Sequence, residues 1–93
     1  MDIKKGENKF YIGEDEAEPQ AEIHYITESD ALLTVDHTYV SEALRGRGVG
    51  GKLVKEMVDF ARQEGKKINP DCPFAKKQIE QHEAYRDVLA DGA

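Results

Sequence analysis

The sequence predicts one small α+β domain, an antiparallel β-meander followed by a helix, a short strand and a second helix. Three observations carry that prediction. Short runs of β-branched and aromatic residues fall within the first forty positions, one long amphipathic run follows them, and a glycine-dense connection joins the two. With 93 residues there is room for one sheet and about two helices, so residues 1–93 read as a single domain with its core over about 8–89.

Taken in order, Lys9–Gly13 (KFYIG) and Ala21–Thr27 (AEIHYIT) have strand composition, and the acidic Glu14–Gln20 between them reads as a solvated hairpin loop. Glu28-Ser29-Asp30 makes the next turn, and Leu32–Val40 (LLTVDHTYV) the third strand. Strict alternation there places Leu33, Val35, His37 and Tyr39 on one face. Leu32, Thr34, Asp36, Thr38 and Val40 fall on the other. The helical run extends from Lys52 to Glu64. Val49, Leu53, Met57, Phe60 and Ala61 recur at 3–4 residue spacing, and Val54 and Val58 widen the stripe. Gly65 is placed to end that helix as its C′ residue. Lys67-Ile68-Asn69 reads as a short strand, with Pro70 marking an edge or a strand end. Asp71 or Cys72 can cap a second helix, because Pro73 suits a first helical position and Phe74–Glu83 contains no breaker. Tyr85–Leu89 is either a last short strand or a packed tail, and Ala90–Ala93 is expected to fray.

Composition narrows the function. Apolar residues make up 39% and charged residues 34%, a balance that suits a folded globular domain. No apolar run approaches the roughly 20 residues that cross a bilayer, and no secretory leader is expected. One cysteine excludes an internal disulfide and suits a reducing, cytoplasmic setting. The net charge of −6, from 13 basic and 19 acidic residues, argues against a duplex nucleic-acid partner. It leaves a local phosphate site open, since Arg45, Arg47, Lys52 and Lys55 cluster around the glycines. The acidic surplus favours a cationic second substrate such as an amine, though most such surplus only solubilises. No membrane, nucleic acid or metal is expected as a partner, and the chain is expected to be a monomer or weak homodimer.

The glycine run Arg45-Gly46-Arg47-Gly48-Val49-Gly50-Gly51 fits three patterns. Gly46, Gly48 and Gly51 satisfy G-x-G-x-x-G, with Asp71 about 20 residues on where a ribose-binding acid belongs. A dinucleotide fold needs its strand to run straight into the first glycine, however, and Ser41–Arg45 intervenes. Too little chain remains after Asp71 for the further βα units. Gly46, Gly51 and Lys52 match most of the P-loop pattern, but Leu53 stands where a magnesium-binding hydroxyl is required. Arg45, Gly48 and Gly50 meet R-x-x-G-x-G, which expects a strand, a short turn, the loop, a helix and then a parallel strand. The chain supplies those elements in that order.

In this stretch, VSEALRGRGVGGKL over Val40–Leu53, the chain resembles the acetyl-CoA-binding motif of the GCN5-related N-acetyltransferases. The resemblance extends over nearly the whole chain to the short, single-domain YjdJ-type members, through Lys9–Gly13, Asp36-His37-Thr38, the glycine loop and Cys72 to Tyr85. It implies a minimal fold of that family, with two parallel strands splaying apart and the pantetheine arm of acetyl-CoA in the gap. It also implies that the N-terminal helices walling the acceptor site in longer members are missing here.

The resemblance implies a role for each residue of the loop. Backbone amides of Arg47–Gly50, including Val49, would converge on the pyrophosphate, with Gly46, Gly48 and Gly50 leaving room for the approach. Arg45 and Arg47 add charge, and Lys52 reaches the phosphates. The alternative is that these glycines only make a tight strand-to-helix connection. Val35–Val40 would offer backbone groups to the pantetheine amides, Val40 at its end, with Ile68 and Asn69 on the opposite wall. His37 is a candidate base for an incoming amine or, equally, a half-buried histidine satisfied by a neighbour. Cys72, at an expected helix N-terminus, can accept or position the acetyl group, or simply pack beneath the helix. Tyr85 is the positional candidate for protonating the departing thiolate and also fits a packing stripe with Phe74 and Ile79.

The function this implies is acetyl transfer from acetyl-CoA to an unidentified amine. A non-catalytic acetyl-CoA or acyl-CoA-binding module would use the same loop without a base or acceptor pocket. An interaction module that has lost its ligand would have no use for the intact glycines.

Overall fold

The computed structural model describes residues 2–90. Five strands form one sheet in the order β1 (Lys4–Gly6), β2 (Lys9–Ile12), β3 (Ala21–Thr27), β4 (Leu32–Val40) and β5 (Lys67–Pro70). Neighbours from β1 to β4 are antiparallel, and β4 and β5 are parallel. Helix α1 (Val49–Glu64) makes the crossover between the parallel pair, and α2 (Pro73–Gln81) follows β5. A mixed α+β sheet with its helices between and after the last strands is the expected fold. The expected fraying of Ala90–Ala93 lies, beyond Ala90, outside the described residues.

Apolar periodicity explains the core. Phe10 and Ile12 of β2, Ala21, Ile23 and Tyr25 of β3, and Leu33 and Val35 of β4 point to one face of the sheet. Against them α1 lays Leu53, Met57, Val58 and Ala61, and α2 adds Ala75 and Ile79. Leu33, Leu53, Val58 and Ile68 are fully shielded from solvent, each side chain worth about 1.5–3 kcal/mol on burial. Gly65 ends α1 in the left-handed region at φ 69°, its N–H bonded to the last-turn carbonyls of Ala61 and Arg62. Pro73 opens α2, with Cys72 at the N-cap.

The structure departs from the sequence reading in three places. Strand β1 was not expected, because Lys4-Lys5-Gly6 has no apolar pattern. Helix α1 begins at Val49, three residues before Lys52, and α2 ends at Gln81 rather than Glu83. Of the two expectations for Tyr85–Leu89, the packed tail is the one found: Glu83–Val88 is a 3₁₀ segment, with Leu89 bridging to Ile68 beside β5. The third departure bears on function. In the β3–β4 pairing Tyr25 opposes Val35 and His24 opposes His37, which leaves Asp36 as an extra residue, a β-bulge. Alternation therefore breaks at Asp36. His37 and Tyr39 share no face with Leu33 and Val35; they lie on the open face, while Thr38 and Val40 oppose the buried Ile23 and Ala21.

Candidate functional site

The site is built on a fork in the sheet. β5 accompanies β4 only from Leu32 to Val35, and the last link across is Asp71 N–H to the Val35 carbonyl at 2.9 Å. Beyond it Asp36–Val40 keeps β3 on one side and has no strand on the other among the described residues. The chain leaves β4 through a 3₁₀ turn at Glu42–Leu44, and the Arg45 guanidinium donates back to the Val40 carbonyl at 3.2 Å, folding the loop under the strand end.

Gly46 (φ 82°) and Gly48 (φ 73°) then turn the chain into α1. A Cβ at either would meet nothing within 4 Å, so these glycines are required by the left-handed backbone and not by crowding. Gly50 is the reverse: its backbone is ordinary, but an added Cβ would stand 2.6 Å from the Phe74 ring. Gly48 caps α1 without a side-chain hydrogen bond, and the first helical bond runs from Lys52 N–H to the Gly48 carbonyl at 3.2 Å. The N–H groups of Val49, Gly50 and Gly51 precede that bond. They leave the positive end of the helix dipole facing outward, the arrangement that binds anions.

A cavity of about 600 Å³ opens at this junction. Thr38, Tyr39 and Val40 line it from β4, Leu44, Arg45, Gly46 and Gly48 from the loop, Val49–Gly51 from α1, and Phe74 and Gln78 from α2. Six of the expected ligand-binding residues thus meet at one wall: Val40, Arg45, Gly46, Gly48, Val49 and Gly50. Arg47 and Lys52 are exposed beside the cavity and make no ion pair among the described residues. The far wall differs from expectation. Ile68 is wholly in the core, and Asn69 turns to the open face, donating Nδ2–H to Thr34 Oγ1 at 3.4 Å. Phe74 and Gln78 take that wall instead. Their i, i+4 spacing on α2 is the signal that could have found them, since Ala75 and Ile79 are the helix's buried pair.

The two reactive candidates lie on opposite sides of the sheet. Cys72 is 8% exposed, directly after the fork, with Sγ 3.5 Å from Thr38 Oγ1. His37 is on the open face, its Nε2 3.7 Å from Glu22 Oε2. Neither lines the cavity, and they make no contact with one another. Tyr85 stacks on His82 with ring centroids 4.8 Å apart and packs against the core, away from the fork.

A family model for GCN5-related N-acetyltransferases matches residues 9–88, which takes in every strand but β1, both helices and the whole glycine loop. The chain belongs to the GCN5-related N-acetyltransferase family. A solution structure of a GCN5-like protein from Staphylococcus aureus superposes on this acetyltransferase fold with a TM-score of 0.81. It is 47% identical, with 96% of this chain and 87% of that one covered. The NATD1 proteins of Gallus gallus and Mus musculus are each 31% identical over 51 residues. That match spans 55% of this chain and 46% of each NATD1 protein, so the chain covers about half the length of these relatives.

Proposed function

We propose that this family member binds acetyl-CoA across the fork and passes its acetyl group to an amine. The observation that carries the reading is the uncapped N-terminus of α1, set by two left-handed glycines at the end of a strand that has lost one neighbour. Each half of that arrangement matches one half of the ligand. The free amides of Val49–Gly51, with Arg45, Arg47 and Lys52 around them, suit a pyrophosphate, where each charge-assisted bond is worth about 1.5–3 kcal/mol. The unpartnered edge of Asp36–Val40 suits the amides of a pantetheine arm, which would take the place of the missing strand.

The donor supplies an activated acyl carbon as a thioester; the chain supplies position. An arm running along β4 from the glycine loop reaches the fork beside Thr38, where Cys72 approaches from the helix face and His37 from the open face. Backbone N–H groups of β4 near the bulge would hold the developing oxyanion. Cys72 positions the thioester carbonyl or accepts the acetyl group, and His37 serves the amine. Incubation with acetyl-CoA followed by mass spectrometry separates the two roles of Cys72: an added acetyl group there supports the covalent route, and full activity of Cys72→Ala excludes it.

Both helices cover one face of the sheet. The other carries Tyr11, Glu22, His24, Ile26, His37 and Tyr39, all at least partly exposed, which leaves an approach for the acceptor. Calorimetry with acetyl-CoA and CoA tests the ligand, and an acetyl-transfer screen over polyamines, amino acids and lysine peptides tests the acceptor. Binding without transfer to any of them would favour an acyl-CoA-binding module.

A further inference from the structure

We propose that the Thr38 hydroxyl gives its proton to the departing sulfur of the thioester, held in place and resupplied by the Cys72 thiol. The inference rests on the acetyl-transfer reading and fills a role in it that the structure takes away from Tyr85.

The bulge at Asp36 sets the geometry. It turns Thr38 to the helix side of β4, opposite the buried Ile23, in the half of the strand that has parted from β5. Across the fork, the Asp71 N–H bond to the Val35 carbonyl anchors the start of α2, and Cys72 follows it at the N-cap. The Cys72 side chain makes no capping bond to its own helix. Its sulfur lies 3.5 Å from Thr38 Oγ1 instead, a contact that joins β4 to the start of α2 where β4 and β5 separate. Cys72 is buried and lines no part of the cavity, whereas Thr38 does line it. Whatever the thiol does for a ligand there, it does through Thr38.

Hydrogen bonding gives the hydroxyl a direction. A thiol that donates its S–H to Oγ1 uses Thr38 as acceptor, which leaves the hydroxyl's own proton for another partner. Among the described residues no protein group takes it, and the side that remains open is the cavity. The other polar side chains of the lining do not compete. Tyr39 lies on the open face of the sheet, Arg45 is bound to the Val40 carbonyl, and Gln78 carries an amide that gives up no proton. Tyr85 stacks on His82, away from the fork. Val40, Leu44, Val49 and Phe74 add apolar walls, a setting in which a hydroxyl bond to a developing thiolate gains strength.

The acceptor enters as a neutral amine. Its nitrogen lone pair forms the C–N bond to the thioester carbonyl carbon while the C=O pair moves to oxygen. As the carbonyl re-forms, the C–S bond breaks with its electron pair leaving on sulfur. Thr38 Oγ1–H passes its proton to that sulfur, and Oγ1 takes the Cys72 S–H proton in the same motion. The two ends of the relay are the same chemical group, a thiol, so the transfer needs no strong acid. The transient Cys72 thiolate stands at the N-terminus of α2, where the helix dipole favours negative charge. The nitrogen gives its extra proton to water, and the Cys72 thiolate regains one from water that refills the cavity. The products are an amide and a thiol, with the chain unchanged. Thr38 touches the reacting sulfur; Cys72 acts only through it and is a positioning residue.

The test measures thiol release from acetyl-CoA with n-propylamine as the probe amine, alongside calorimetric affinity for acetyl-CoA. It compares the wild-type chain with Thr38→Val, Thr38→Ser, Cys72→Ala, Cys72→Ser and the double variant Thr38→Val/Cys72→Ala. Affinity should be unchanged throughout, while kcat falls about 10²-fold in Thr38→Val, which keeps the shape and loses the hydroxyl. Thr38→Ser should retain most of the rate. Cys72→Ala should fall in the same direction, and the double variant no further than Thr38→Val alone, because the two groups act as one unit. Cys72→Ser should recover part of the loss, since its O–H donates to Thr38 as the S–H does. Wild-type kcat in Thr38→Val overturns the proposal while leaving acetyl transfer standing. So does an acetyl group found on Cys72 during turnover, since an acylated sulfur has no proton to give. Full activity in Cys72→Ala overturns the part given to the thiol. A wild-type protein that binds acetyl-CoA but releases thiol no faster than the amine alone overturns acetyl transfer and this inference with it. Failure of acetyl-CoA to bind overturns the ligand reading as well.

Discussion

The two halves of β4 differ in what surrounds them. From Leu32 to Val35 the strand has a neighbour on each side, and Leu33 and Val35 are fully shielded from solvent. From Asp36 to Val40 it keeps β3, loses β5, and exposes Asp36, His37 and Tyr39. One half holds the fold together; the other leaves its edge unpaired. The change falls at a single residue, the bulged Asp36, which also reverses which side chains face the helices. A strand that stayed paired to its end would have no gap, and one without the bulge would put His37 into the core.

Breaking the paired half should have the largest effect. Leu33→Ala removes a fully buried side chain between β3, β5 and α1, and should cost about 2–5 kcal/mol in thermal or urea unfolding. In a domain this small that is a large part of the whole stability. A loss well below 1 kcal/mol would show that the paired half is not where stability resides. In the free half and its loop the effects should move from stability to binding. Arg47→Ala should weaken acetyl-CoA by about 1.5–3 kcal/mol, the value of one charge-assisted contact, with the melting temperature unchanged. An equal loss for acetyl-CoA and for dephosphorylated pantetheine would contradict a phosphate role. Gly48→Ala should cost about 1–2 kcal/mol in stability, because φ is 73° there and no neighbour is crowded. Gly48→Asn should recover part of that cost. An effect on Gly50→Ala should instead be relieved by Phe74→Ala, since the ring is what the added methyl meets.

The smallest effect belongs to a surface pair far from the fork. The Arg62 guanidinium donates to both carboxylate oxygens of Asp87, at 3.0 and 2.6 Å, tying the C-terminal 3₁₀ segment to α1. That contact holds the Asp87 carboxyl below its ordinary acidity range and raises Arg62. A depressed carboxylate contributes stability that is present above its unfolded value and lost as pH falls through the folded one. Asp87→Asn should therefore lower stability slightly near neutrality and converge with the wild type at the low-pH end, so that its acid-unfolding profile is flatter. Both groups are solvent-exposed, and a large change would contradict that.

Sequence legibility followed the same division. β3, β4 and the α1 stripe were readable because burial of one face imposes a period on residue type, as in Ala21, Ile23 and Tyr25 or Leu53, Met57 and Ala61. The glycine loop was readable because left-handed backbone excludes most residues, which leaves Gly46 and Gly48 conspicuous. β1 was not, since Lys4-Lys5-Gly6 carries no apolar alternation and its strand pairing is made by the backbone. Nor was the bulge: LLTVDHTYV alternates acceptably in either register, and only the cross-strand partners on β3 decide where the extra residue falls. The contact between His24 and Asp36 was unreadable for the same reason, since it exists only once the register is known. Cys72 sits at its expected helix start, but its partner Thr38 lies 34 residues back, on the face that strict alternation does not give to Val35.

The most direct test of the account is a backbone-amide NMR titration with acetyl-CoA. Saturation in the micromolar range, corresponding to roughly −8 kcal/mol, should shift the amides of Gly46–Lys52 and of Asp36–Val40. Those of Leu32–Val35 and of the β1–β2 hairpin should stay in place. No saturable binding, or shifts spread evenly along both halves of β4, would contradict it.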